Sequence, residues 1–148
     1  MKPDLPAARE AIRTFLVEGA AGLLRKNGSF APFAAVRDRH GQMSLVATYL
    51  HADDSTPPEQ HFALLLQILG AERKRYDALG ICSDVNSPAD VPDAHGAIQV
   101  NVESSDGVAE MYVQPYALDA DLRLLAPRLE TGEPLIYRRW RWPWARSR

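Results

Sequence analysis

One cysteine in 148 residues, Cys82, leaves no internal disulfide to staple the fold, so stability has to come from an apolar core. No apolar run approaches the roughly 20 residues of a membrane-spanning helix. The opening MKPDLPAARE also lacks the apolar centre of a signal peptide. These features lead us to expect a protein of a reducing cytoplasm with no transmembrane segment. The Gly-x-Ser-x-Gly elbow, the phosphate-cradling glycine-rich loop and the His-Glu-x-x-His helix are missing, which lowers the expectation of an enzyme and implies no cofactor. Charge is scarce in net terms, at −2, but unevenly placed. Residues 138–148 carry five of the 17 basic residues and no acid, leaving twelve basic against nineteen acidic residues, or −7, in the rest. An acidic body does not favour a dedicated nucleic-acid domain, which concentrates lysine and arginine along a folded face.

The chain does contain a regular succession of amphipathic segments. Ile12, Phe15, Leu16, Ala20, Leu23 and Leu24 recur at three- and four-residue spacing and predict a helix over 6–26, stopped by Asn27-Gly28. Phe30–Val36 and Met43–Leu50 are apolar, aromatic and branched, and Asp38-Arg39-His40-Gly41 turns one into the other as a hairpin. Thr56-Pro57-Pro58-Glu59 reads as a capping box opening a second helix that ends near Asp77, with Phe62, Leu65, Leu66 and Leu69 buried and Leu64 and Ile68 widening the stripe. Three strands follow, over 79–85, 98–103 and 109–114. The third stops at Pro115, and Ser105-Asp106-Gly107 makes the last turn. Residues 118–126 fit a short helix ended by Pro127, and Leu135-Ile136-Tyr137 a last strand.

This pattern predicts an α+β fold: an antiparallel sheet of about five strands in the order α-β-β-α-β-β-β-(α), with two main amphipathic helices. Residues 1–137 would form a single domain and 138–148 a basic, tryptophan-rich tail. Over residues 6–126 the order of elements resembles roadblock-like and profilin-like modules, and small bacterial proteins in which a helix, an Asp-x-x-Gly hairpin, a second helix and a meander follow one another. The resemblance implies scaffolding or dimerisation and transfers no individual residue, because fold alone does not fix function.

Four groups of residues bear on function. His51, Asp53, Asp54 and His61 combine imidazole and carboxylate as a divalent metal site would, although the spacing is that of no standard site. The alternative is a solvated acidic loop entering a helix N-terminus, with His61 on the helix surface. Cys82 with Asp84 and either His40 or His95 contains the residue types of a thiol nucleophile and its base, against the plainer reading of a packed small hydrophobe. Arg138, Arg139, Trp140, Arg141, Trp142 and Trp144 suit an anionic-lipid or nucleic-acid arm, or equally a segment docked on the domain or on a second subunit. Finally, Gln99, Asn101 and Glu103 with Glu110, Tyr112 and Gln114 read as one polar sheet face, a partner surface anchored on Tyr112 and Glu110 or simply a solvated one. The expectation these support is a non-enzymatic protein-interaction domain: a bacterial homodimer, or an immunity-like protein whose acidic body neutralises a basic partner. The alternatives are a small metal-dependent hydrolase at His51, Asp53, Asp54 and His61, and lipid or nucleic-acid binding through the tail.

Overall fold

A computed structural model describes residues 4–48 and 56–137. Helix α1 (Leu5–Asn27) is followed by β1 (Phe33–Asp38), β2 (Met43–Ala47), α2 (Pro58–Glu72), a 3-10 turn over Arg73–Arg75, β3 (Tyr76–Val85), β4 (Gly96–Ser104) and β5 (Ala109–Leu118). Two short strands close the succession, β6 (Leu122–Leu124) and β7 (Arg128–Thr131). All pairings are antiparallel, in the order β2-β1-β3-β4-β5, and the outer side of β5 is shared by β6 and β7. The α+β class is as expected, with two more strands than the sequence suggested.

Local signals explain most boundaries. Asp4 Oδ1 accepts the Ala7 N–H at 3.1 Å to open α1, and Gly28, at φ 78°, closes it by donating its N–H to the Leu24 carbonyl at 2.8 Å. Gly41 (φ 83°) and Asp38, whose carboxylate accepts the His40 and Gln42 N–H groups at 2.8 and 3.0 Å, make the first hairpin turn. Helix α2 starts one residue later than the capping-box reading. Pro58 holds the preceding Pro57 extended (φ −57°, ψ 144°), so Pro58 and not Pro57 takes the first helical position.

Three expectations fail. Residues 118–126 are not a helix: Leu118 pairs with Leu122 in a tight β5–β6 hairpin, and the recurrent leucines serve a strand end. Pro115 does not stop β5, because it stands where the outer edge of that strand passes from β7 (pairing 110–113) to β6 (pairing 116–118), a gap in the ladder that tolerates a residue without N–H. Leu135–Tyr137 is an irregular strap with no strand partner.

The sheet is sandwiched unequally. On one face α1 lays Ala8, Ile12, Leu16, Ala20 and Leu24 on Ala78, Cys82, Ile98, Val100 and Val102. Only small side chains of β3 point that way, so the helix sits close. On the other face Leu65 and Leu69 of α2, with Ile136 of the strap, cover Ala34, Val36, Leu79 and Ile81. The buried stripe of α2 is His61, Leu65 and Leu69, at a spacing of four. Leu64 and Ile68, expected to widen it, are 44% and 37% exposed, and His61, expected on the surface, is buried.

Candidate interaction surface

The polar face expected from β4 and β5 does not exist as one surface. The β4–β5 register sets Val102 opposite Glu110, Val100 opposite Tyr112 and Ile98 opposite Gln114. Glu110, Tyr112 and Gln114 therefore face α1, while Gln99, Asn101 and Glu103 face the other side of the sheet. The two sets do different work.

Under α1, Glu110 accepts from Arg9 Nε at 3.1 Å and lies 3.5 Å from Arg13 Nη1. Arg9, itself buried, also donates to Ser104 Oγ at 2.8 Å. The Ser104 hydroxyl donates to Asp106 at 2.5 Å; although partial burial pushes the Asp106 carboxyl up, this bond and the Val108 N–H outweigh it and hold the group below its usual value. The Arg13 guanidinium stands 5.3 Å from the centre of the Tyr112 ring, and Tyr112 donates to Gln114 Oε1 at 2.5 Å. Gln114 in turn donates to the Leu125 carbonyl. Glu110 and Tyr112 thus form a seam joining α1 to β5, with their polar groups already engaged.

On the other face Glu103, 2% exposed, is the anchor of the strap. Its Oε2 accepts the Leu135 N–H at 2.7 Å and its Oε1 accepts those of Ile136 and Tyr137 at 2.8 and 2.6 Å. The Tyr137 hydroxyl completes the closure by donating toward the Arg73 and Tyr76 carbonyls, at 2.9 and 3.0 Å. Diagonal to Glu103 across the β3–β4 ladder, two residues from its partner Leu79, lies Asp77, buried, with Oδ1 unpartnered among the described residues. Desolvation pushes its carboxyl above the usual range, against the pull of Arg37 and Arg39. A raised folded value means that its stabilising share is complete at low pH and is lost as pH rises through that value. Replacing Asp77 by Asn removes this loss. We expect the urea midpoint of Asp77→Asn to gain on that of the parent between about pH 4 and pH 8, and a constant difference would refute the assignment.

The remaining expected residues are not gathered into a reactive group. Cys82 is fully buried under α1, its thiol pushed up by desolvation and further by Asp84. Asp84 accepts the Tyr116 hydroxyl at 2.7 Å. His95 Nδ1 accepts the Leu118 N–H at 2.8 Å in an exposed loop, and His40 sits at the exposed hairpin tip. The ring of His61 is buried with Nδ1 2.6 Å from Thr48 Oγ1, beside a shallow groove lined by Gln60, Leu64 and Gln67. His51, Asp53 and Asp54 lie outside the described residues, as do Arg138, Arg139, Trp140, Arg141, Trp142 and Trp144. Among the described residues no group of three or more His, Cys, Asp or Glu side chains is placed to hold a metal ion, and no helix is long and apolar enough to cross a membrane.

Among the described residues, the β2 rim of the sheet stands open. β2 is an edge strand, its sequence Met-Ser-Leu-Val-Ala carries no charge and no proline, and Leu45 at its centre is 59% exposed. Phe15, 38% exposed, lies on the neighbouring flank of α1. Close approaches at two glycines and the strand pairings place it. A Cβ on Gly80 would touch Ile12 and Leu16, one on Gly19 would touch the Phe33 ring, and Gly80 pairs with Ala35, which pairs with Leu45. Phe15 therefore rides at the level of Ala35 and Leu45, on the flank of α1 opposite to Arg9 and Arg13. The sequence pattern does not reveal this rim, because Phe15 recurs within the apolar stripe of α1 and Leu45 lies inside an apolar strand run. Comparison with family models, with curated proteins and with solved structures returned no match.

Proposed function

We propose that the chain is a non-enzymatic protein-interaction module, homodimeric or partner-neutralising, that acts in a reducing cytoplasm by burying its surface against another protein. One observation carries the reading: among the described residues the sheet ends in an uncharged edge strand whose central leucine is exposed. Unprotected edges invite pairing, and proteins that must stay alone blunt them with charge, proline, bulges or short strands. The opposite edge of this sheet is blunted in that way. It is split into β6 and β7 around Pro127 and bears Arg123, Arg128 and Glu130, with Arg123 paired to Asp119 and Arg128 to Asp90. The lone cysteine, buried and reduced, suits the compartment.

A photo-activated cross-linking residue at Ser44, which is exposed on β2, tests the reading in the living cell. The expected result is a discrete protein adduct at Ser44 that is missing when the same group is placed at Glu10, on the outward face of α1. Equal labelling at both positions, or none at either, would overturn it.

A further inference from the structure

We propose that the partner is a second copy of this chain, joined by antiparallel pairing of β2 with its symmetry mate about a two-fold axis through Leu45. The proposal rests on the interaction reading and adds the partner and the register. Its warrant is the direction of the backbone groups on β2. In the β1–β2 hairpin the Asp38 N–H donates to the Gln42 carbonyl at 2.9 Å, so that pair is hydrogen-bonded; along the ladder, bonded and non-bonded pairs alternate. Val36–Ser44 and Ala34–Val46 are therefore bonded pairs. Arg37–Met43, Ala35–Leu45 and Phe33–Ala47 are not, and the N–H and C=O groups of Met43, Leu45 and Ala47 point away from β1, toward the open edge.

Those three residues are symmetric about Leu45. Only when Leu45 meets Leu45 of the mate, with Met43 opposite Ala47 both ways, does every outward donor and acceptor on one strand find its counterpart on the other. The side chains of Met43, Leu45 and Ala47 lie on the α1 side of the sheet, as their partners Phe33 and Ala35 do. Pairing in this register brings the two Leu45 side chains together between the two Phe15 rings, covering both exposed groups at once. No charged residue stands on Met43–Ala47, so the symmetric contact sets no like charges against each other. The blunted β6/β7 edge keeps the joined sheet at two copies and prevents a growing ribbon.

Light scattering on the purified full chain, with Leu45→Lys as the comparison and spin labels on Ser44→Cys, tests the proposal. Cys82 is fully buried and leaves Ser44→Cys as the labelled thiol. The parent should have about twice the 16.4 kDa chain mass. Leu45→Lys should raise the dissociation constant roughly 100-fold by opposing two ammonium groups, with its circular dichroism unchanged because position 45 is exposed. Labels at 44 and its mate, diagonal neighbours in this register, should show strong dipolar broadening that Leu45→Lys abolishes. A parent that is monomeric at every concentration overturns the proposal. So does a dimer indifferent to Leu45→Lys, or one whose Ser44 labels are far apart. The last two results, or a cross-link from Ser44 to a different protein, would leave the interaction reading standing while removing the self-pairing.

Discussion

Glu103→Ala should destabilise the protein by about 3–5 kcal/mol and release the strap that closes the α2 face. The wild-type carboxylate is buried and accepts three consecutive backbone N–H groups, from Leu135, Ile136 and Tyr137, at 2.6–2.8 Å. A bond to a charged acceptor contributes roughly 1.5–3 kcal/mol, and truncation leaves three donors that only water can then satisfy, at the cost of opening the layer in which Ile136 covers Leu79 and Ile81. The three bonds share one acceptor group, so their loss is less than additive. Glu103→Gln keeps one acceptor oxygen but replaces the other with an amide that donates into donors, and its cost should fall between parent and Ala. Urea unfolding gives the magnitude. Amide exchange gives the place: the amides of 135–137 should lose protection in Glu103→Ala while those of α1 keep theirs under native conditions. Equal loss of protection everywhere would mean that Glu103 supports the whole sheet and not the strap.

Part of this was readable in the sequence. Asn27-Gly28 marked the end of α1 because a left-handed cap needs glycine, and Asp38 to Gly41 marked the hairpin because side-chain capping and a positive φ at Gly41 make that turn. Strand existence followed from alternation. Relative face did not, because alternation has period two and its phase across a hairpin depends on how many residues the turn consumes. Glu103 pairs with Ala109 across Ser104–Val108; a turn one residue different would have placed Glu110 opposite Glu103 on the same face. The one local clue was the Arg9 and Arg13 pair at a spacing of four beside the apolar stripe of α1, cations that call for an acid on the sheet beneath. Leu118, Leu122 and Leu125 satisfied a helical spacing over too short a stretch to exclude a strand, and tertiary pairing to Tyr116–Leu118 decided it. The capture of Leu135–Tyr137 by Glu103 links positions more than thirty residues apart and left no mark on local pattern. The open rim was hidden for a related reason: Phe15 and Leu45 are apolar at positions where the period puts core residues, and only their place at the sheet's edge exposes them.

The second large effect is at Gly80. β3 runs through the middle of the sheet with Ala78, Gly80 and Cys82 under α1, and a Cβ built on Gly80 would lie 2.8 Å from Ile12 Cγ2, 2.9 Å from Leu16 Cδ1 and 3.1 Å from the Asn101 carbonyl. Two opposing terms decide the sign of Gly80→Ala. Removing glycine from a strand restricts the unfolded chain and favours the variant by about 0.4–1 kcal/mol. Forcing a methyl group into contacts below 3 Å requires α1 to lift or Ile12 to leave its rotamer, at about 1–3 kcal/mol, and the neighbouring backbone oxygen of Asn101 leaves no lateral escape. Overpacking wins, so Gly80→Ala should lose stability and Gly80→Val, with two further methyl groups, should lose more than its propensity for strands can return. The cause can be isolated. Ile12→Ala deletes the Cγ2 that the new methyl would strike and leaves a cavity of its own, costing about 2–5 kcal/mol alone. In that background the methyl no longer strikes Ile12 and the end of Leu16 can turn into the vacated space, so Gly80→Ala should cost clearly less than it does in the parent. If Gly80→Ala destabilises both backgrounds equally, the close seating of α1 on β3 is not what demands glycine at this position.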